Sequence, residues 1–160
     1  MLFRSIYPSL KGKTVFVTGG GSGIGASIVE HFCEQSCRVA FVDIAEDASQ
    51  ALVKAIAAKR YAEPKFIRCD LRDVTSLQEI VAKIGRELGP IRVLVNNAGN
   101  DDRHHFSKVT ADYWDDRVAV NLRHQFFTAQ AVHPQMKSAG GGSIDRKSTR
   151  LNSSHVSESR

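Results

Sequence analysis

The sequence predicts an α/β chain built on a doubly wound parallel sheet. Two unbroken apolar runs, Val15-Phe16-Val17 and Val39-Ala40-Phe41-Val42, have the composition of parallel strands that helices cover on both faces. Helical apolar periods separate the runs, and the connections are short. Such alternation argues for right-handed crossovers within one parallel sheet.

Taken in order, the first strand leads into a helix whose Ile24, Ile28 and Phe32 fall four apart, one stripe for the core. The second strand ends at Asp43. A third, less clean, is Phe66-Ile67, after which Val74, Leu77, Val81, Ile84 and Leu88 step by three or four along another helix. Ile91 to Val95 supplies the fourth strand. A long helix is expected from about Thr110 to Lys137. Its apolar positions are Tyr113, Trp114, Val118, Leu122, Phe126, Ala129 and Val132, and Pro134 should disturb its last turns. Ser143 stands at the approach to a fifth strand, but beyond Ile144 the sequence becomes polar, rich in Ser and Arg and without periodicity. A segment of that kind buries too little to offset its ordering entropy. The expected organisation is one partial domain, residues 1–144, and a non-native or disordered tail, residues 145–160. The fourth strand would then be an open edge.

Composition excludes several classes. The formal charge is +5, but Asp145 to Arg160 holds four basic residues (Arg146, Lys147, Arg150, Arg160) against two acidic ones (Asp145, Glu158). The other Lys and Arg residues are interspersed with acids, so no stripe tracks a phosphate backbone and nucleic acid is not an expected partner. No apolar run approaches the ~20 residues of a membrane span, and Met1 to Lys13 lacks a secretory layout; a cytoplasmic, non-membrane protein is expected. Cys33, Cys37 and Cys69 are too few and scattered for a disulfide framework and lack zinc-ligand spacing, so they read as buried free thiols, with no metal.

Chemistry enters at Thr18-Gly19-Gly20-Gly21-Ser22-Gly23-Ile24-Gly25, between the first strand and first helix. Glycines allow the tight turn and remove Cβ atoms that would keep a pyrophosphate from the helix N-terminus, where free N–H groups and the dipole favour an anion. Gly21, Gly23 and Ala26 also satisfy G-x-G-x-x-G/A, a weak signal that its strand-to-helix position strengthens. A flexible glycine loop is the bland alternative. Asp43, 18 residues after Gly25, can accept both hydroxyls of an adenosine ribose and would repel a 2'-phosphate, which favours NAD over NADP. Ser22, where a basic residue would hold that phosphate, agrees. The competing role for Asp43 is a helix cap for the segment near Glu46.

Thr18-Gly19-x-x-x-Gly23-x-Gly25, Asp43, Cys69-Asp70-Leu71, Asn96-Asn97-Ala98-Gly99 and Val120-Asn121-Leu122 together resemble the short-chain dehydrogenases/reductases, in that family's order, across Lys11 to about Ile144. Tyr7 to Lys13, Asn100 to His104 and Tyr113-Trp114-Asp115 resemble its NAD-dependent pentose 1-dehydrogenase branch. The resemblance implies a Rossmann-like sheet of strand order 3-2-1-4, with Gly19, Gly23, Ile24 and Gly25 along the diphosphate and Asp43 on the adenosine ribose. Asp70 and Leu71 would contact adenine, and Asn97, Ala98 and Gly99 would border the nicotinamide. Asn121 would support catalysis by holding a relay water. Ser36 stands where the family usually ends its first helix with glycine, at a cost of about 1 kcal/mol if the backbone there is left-handed.

The implied reaction oxidises C1 of an aldopentose, a small sugar like D-xylose, to the lactone, in a parent protein that is a homotetramer. A short-chain ketone or 3-oxoacyl reductase and a non-catalytic dinucleotide-binding fragment are the alternatives. Hydride loss needs a base with a depressed pKa, which the family supplies as Ser and Tyr-x-x-x-Lys after the fifth strand; neither is present here. Tyr61 to Lys65 matches the spacing but precedes the third strand and contains Pro64, so it is a decoy. Ser143 comes too early to be the serine. Asp145, Ser153, Ser154 and His155 have no oxyanion site around them, and His104-His105 reads as solvated or substrate-lining rather than metal-binding. Asp145 to His155 resembles one reading frame of a sequencing adaptor, which predicts that the coding sequence departs from its true course near Ile144 and that this chain is inactive.

Overall fold

A computed structural model of the chain describes residues 5–102 and 104–146. Its elements are β1 (Thr14–Thr18), α1 (Gly23–Glu34), β2 (Arg38–Asp43), α2 (Glu46–Ala58), β3 (Lys65–Arg68), α3 (Val74–Leu88), β4 (Ile91–Asn96), α4 (Ala111–Val118), a π-turn (Ala119–Arg123), α5 (His124–Ser138) and β5 (Ser143–Arg146). All strands pair in parallel, in the order β3-β2-β1-β4-β5. Along β1 and β2 the side chains alternate between the two faces, and a register shift at the start of β4 interrupts the pattern there. Phe16, Ala40, Val42 and Leu94 pack with Leu77, Val81 and Ile84 of α3 and Val132 and Met136 of α5. On the other face Val15, Val17, Val39, Phe41 and Val95 pack with Val29 and Cys33 of α1 and Ile56 of α2. Period-two strands between two helical layers explain why the runs are apolar throughout.

The order expected from sequence is found and continues by one strand. β5 runs along β4 from Val93↔Ser143 to Asn96↔Arg146, so β4 is not the open edge. Asp145 and Arg146, assigned by sequence to the tail, are in this strand. Backbone pairing makes no demand on side-chain polarity, and all four β5 residues are exposed. Residues 147–160, the rest of the expected tail, lie outside the described residues.

Two helical faces differ from the periodicity. In α1 the fully packed positions are Gly25, Val29 and Cys33, one residue beyond the expected stripe, while Ile24 is 57% exposed. The long helix is interrupted by the π-turn, where the His124 N–H reaches back to the Ala119 carbonyl. One extra residue per turn rotates everything after it. The buried face becomes His124, Gln125, Thr128, Val132 and Met136, and Trp114, Leu122 and Phe126 of the expected stripe are exposed. Pro134 lies inside α5 without ending it.

Ser36 has φ of 60°, while its N–H reaches the Cys33 carbonyl and the Cys37 N–H the Phe32 carbonyl. That is the left-handed close of a helix, which glycine adopts without Cβ strain. Ser36→Gly is expected to raise unfolding stability by about 1 kcal/mol, read as a higher urea midpoint at constant slope. A lower midpoint would contradict the strain.

Candidate functional site

Parallel strands put all their C-terminal ends on one edge, and strand order reverses there between β1 and β4, the position where doubly wound sheets bind ligands. A groove of about 630 Å³ opens at this edge. Gly19, Ser22, Gly23, Ile24, Gly25, Asp43, Asp70, Leu71, Asn97, Ala98 and Gly99, the positions expected to hold a cofactor, all line it. Asn121 stands behind this wall and reaches it through Asn100. An apolar cavity of about 550 Å³ between the N-terminal segment and α1, lined by Tyr7, Leu10, Ile28 and Phe32, has no part in this constellation.

The glycine turn is a backbone device. A Cβ on Gly25 would lie 1.8 Å from the Gly19 carbonyl oxygen and 2.6 Å from Asn97 Nδ2, whereas one on Gly23 would meet nothing within 4 Å. Gly25 closes the turn on itself; Gly23, at φ of 53°, leaves open space at the N-terminus of α1. Ser22 precedes that helix with no side-chain cap. The N-terminal N–H groups of α1 and this open space form a cradle that suits a diphosphate.

Asp43 is fixed from two sides. Its Oδ2 accepts the Gly21 N–H at 2.8 Å and its Oδ1 the Ala45 N–H at 2.9 Å. The residue preceding α2 is Ala45, with no side-chain cap, so the cap role for Asp43 is not realised. Instead it joins the glycine turn to the end of β2, each oxygen keeping lone-pair capacity. At the far end Asp70 is engaged by Arg72, through its backbone N–H, Nε and Nη2 at 2.6–3.0 Å. That guanidinium holds the Asp70 carboxyl below the usual carboxylate range and extends to Asp116 at 3.0 Å. Leu71 is buried and also packs in the core.

The segment after β4 is pinned at successive residues. Asn96 Nδ2 donates to the Gln125 carbonyl, Asn97 Nδ2 to the Gly19 carbonyl at 2.8 Å, and the Ala98 N–H to Thr18 Oγ1 at 3.2 Å. Asn121 then clamps Asn100: its Oδ1 accepts the Asn100 N–H at 2.7 Å and its Nδ2 donates to the Asn100 carbonyl at 2.9 Å. Asn121 is therefore not a free helix-surface residue. It sits in the π-turn, a local widening often found at functional sites.

Other candidates are elsewhere. Tyr61 donates to Glu34 and Lys65 pairs with Glu87, far from the groove. Ser143 is exposed in β5. Asp145 is in that strand, and Ser153, Ser154 and His155 lie outside the described residues. His104 stacks on Tyr113 and His105 contacts Ser107; among the described residues no group of three His, Cys, Asp or Glu could hold a metal. The cysteines are buried and free, and burial pushes the Cys33 thiol up to about 12. Among the described residues no helix is long and apolar enough to cross a membrane.

Residues 13–145 match the short chain dehydrogenase family. The chain belongs to this family. Similar proteins include a probable galactose dehydrogenase of Rhizobium meliloti, 51% identical over 88% of this chain and 55% of its own length. A D-xylose 1-dehydrogenase of Caulobacter vibrioides is 50% identical over 88% of this chain and 54% of its own. The chain thus spans about half the length of the curated relatives it matches. A metagenomic short-chain oxidoreductase solved with NADP superposes with a TM-score of 0.81 at 29% identity, covering 86% of this chain and 62% of that one. A mutant of a Serratia marcescens short-chain dehydrogenase/reductase does so at 0.79 and 32%, covering 88% and 56%. A short-chain dehydrogenase uses a nicotinamide dinucleotide, and the cradle, carboxylate and pinned loop described above fit one.

The sequence did not indicate Arg72, Asp116 and Arg117 as part of this wall. They meet across 44 residues and belong to no short motif.

Proposed function

We propose that this chain is the dinucleotide-holding part of an NAD-dependent oxidoreductase that oxidises C1 of an aldopentose to the lactone. The observation that carries the cofactor choice is Asp43, a carboxylate lining the groove and held by the Gly21 and Ala45 N–H groups. It can accept two ribose hydroxyls, and a 2'-phosphate there would meet like charge. Gly19, Ser22, Gly23, Ile24 and Gly25 would hold the diphosphate; Asp70 and Leu71 would meet adenine. Asn97, Ala98 and Gly99 would border the nicotinamide, and Asn121 would order the site through Asn100. The bound nicotinamide supplies the hydride acceptor. The sugar substrate is supported by the likeness to a probable galactose dehydrogenase and a D-xylose 1-dehydrogenase.

No Tyr-x-x-x-Lys follows β5 in these 160 residues, so this chain is expected to bind NAD weakly and to make no NADH from D-xylose. For the whole protein we propose a homotetramer, supported by the exposed apolar side chains of Trp114 in α4, Leu122 in the π-turn and Phe126 in α5.

Titration calorimetry of the chain tests the reading. NAD should bind more tightly than NADP, and Asp43→Asn should weaken NAD by about 10-fold or more, the worth of a charged hydrogen bond, while narrowing that preference. Equal affinity of the unmodified chain for both dinucleotides would remove the role given to Asp43.

A further inference from the structure

We propose that Tyr113 and Arg117 are positioning residues that hold the loop between β4 and α4, and through Asn100 the Asn121 amide, at the nicotinamide end of the groove. The assignment of that end rests on the dinucleotide reading above. A chain of contacts carries the proposal. Asn100, gripped by Asn121, turns its own Oδ1 to accept the Asp102 N–H at 2.9 Å. The Asp102 carbonyl accepts the Tyr113 hydroxyl at 2.9 Å. The Arg117 guanidinium carbon lies 4.8 Å from the Tyr113 ring centroid, and its Nη2 is 3.6 Å from the Asp102 carboxylate. The His104 ring, from the same loop, lies 4.0 Å from that of Tyr113. One aromatic side chain of α4 is thus joined to the loop by a hydrogen bond and a ring contact, and to the next helical turn by a cation.

The physical role follows from what each contact costs. Arg117 Nε and Nη1 are buried without a hydrogen-bond partner, an expensive state for a guanidinium. The compensation available is the ring face beneath it and two carboxylates, Asp102 at 3.6 Å and Asp116 at 3.9 Å. Asp116 is already engaged by Arg72, so Asp102 is the partner that can respond, and the attraction draws the loop onto α4. A loop whose Asp101, Asp102, His104 and His105 are exposed has no apolar reason to stay there. Asn100 and Asp101 line the groove while Tyr113 does not, so the aromatic acts through the loop rather than on a ligand.

Tyr113→Phe removes only the hydroxyl and keeps the ring, so the fold should survive; Arg117→Met removes the charge. In the 160-residue chain both are expected to speed hydrogen exchange at the Asn100 and Asp102 amides about tenfold, the worth of one hydrogen bond, with the Val17 and Leu94 amides unchanged. For Tyr113→Phe, whose ring is not part of the groove wall, affinity should fall about tenfold for NAD and stay constant for ADP-ribose, which lacks the nicotinamide; Arg117 lines the groove, so Arg117→Met is read by exchange alone. Equal losses for both ligands, or unchanged exchange at Asn100, would overturn the proposal. If the unmodified chain binds neither nucleotide, the dinucleotide reading fails, and the exchange at Asn100 and Asp102 alone upholds or overturns the clamp.

Discussion

Gly25→Ala is expected to abolish measurable NAD binding and to destabilise the chain by about 3 kcal/mol, the upper range for forcing one carbon into a filled site. The added Cβ would stand 1.8 Å from the Gly19 carbonyl oxygen, 2.8 Å from its carbon and 2.6 Å from Asn97 Nδ2. Two of these atoms are backbone, so no rotamer change relieves the contact. Either α1 withdraws from the sheet or the glycine turn opens, and both break the Asn97 to Gly19 hydrogen bond. The cradle and the nicotinamide-side loop are then lost together. Gly12→Ala is the control. It has φ of 71° and no atom within 4 Å of its added Cβ, so it should cost about 1 kcal/mol of strain and leave affinity alone. Calorimetric binding and urea unfolding on the same samples separate the two; a Gly25→Ala chain that binds NAD normally would disprove the closed-turn geometry.

That contrast shows what a linear pattern can carry. The turn, Asp43, Asp70 and the Asn96 to Gly99 segment were legible because each sits within a few residues of a strand end, and a parallel sheet brings strand ends to one edge whatever the loops do. Ser36 was legible for the same local reason. The buried face of the long helix was not. Its apolar residues keep a four-residue step through Trp114, Leu122 and Phe126, yet a single π-turn places polar His124, Gln125 and Thr128 against the sheet. β5 was half legible, since its pairing is made by backbone while its side chains carry no strand pattern. Arg72 reaches Asp116 through an ion pair 44 residues away, and Tyr113 meets the loop before α4 through its hydroxyl and ring; spacing along the chain holds no record of these contacts.

His124 is expected to make the chain lose stability in mild acid, between pH 6.5 and 4. The imidazole is fully buried, with Nε2 3.4 Å from Thr18 Oγ1. Since Thr18 Oγ1 also receives the Ala98 N–H, its hydroxyl hydrogen is free to point at a neutral His124 Nε2. Burial lowers the His124 pKa from 6.5 to about 4, opposed in part by the Val120 and Ala119 carbonyls. The unfolded chain therefore takes up a proton that the folded chain refuses. Its stabilising contribution is complete above pH 6.5 and falls as pH drops toward 4, by about 3 kcal/mol over the interval. The depressed Asp70 and Glu87 carboxyls lose their contribution only as pH falls below their ordinary values of 3.8 and 4.5, so they leave the interval from 6.5 to 4.5 to His124. His124→Phe, which removes the titrating group and keeps a ring, should flatten the pH dependence of unfolding between 6.5 and 4.5. It should also cost stability at pH 7 by freeing the Thr18 hydroxyl, about 1 kcal/mol. Parallel pH slopes for the two chains, or a proton-NMR titration of the His124 ring centred near 6.5, would show that the ring reaches solvent and does not tie the π-turn to the end of β1.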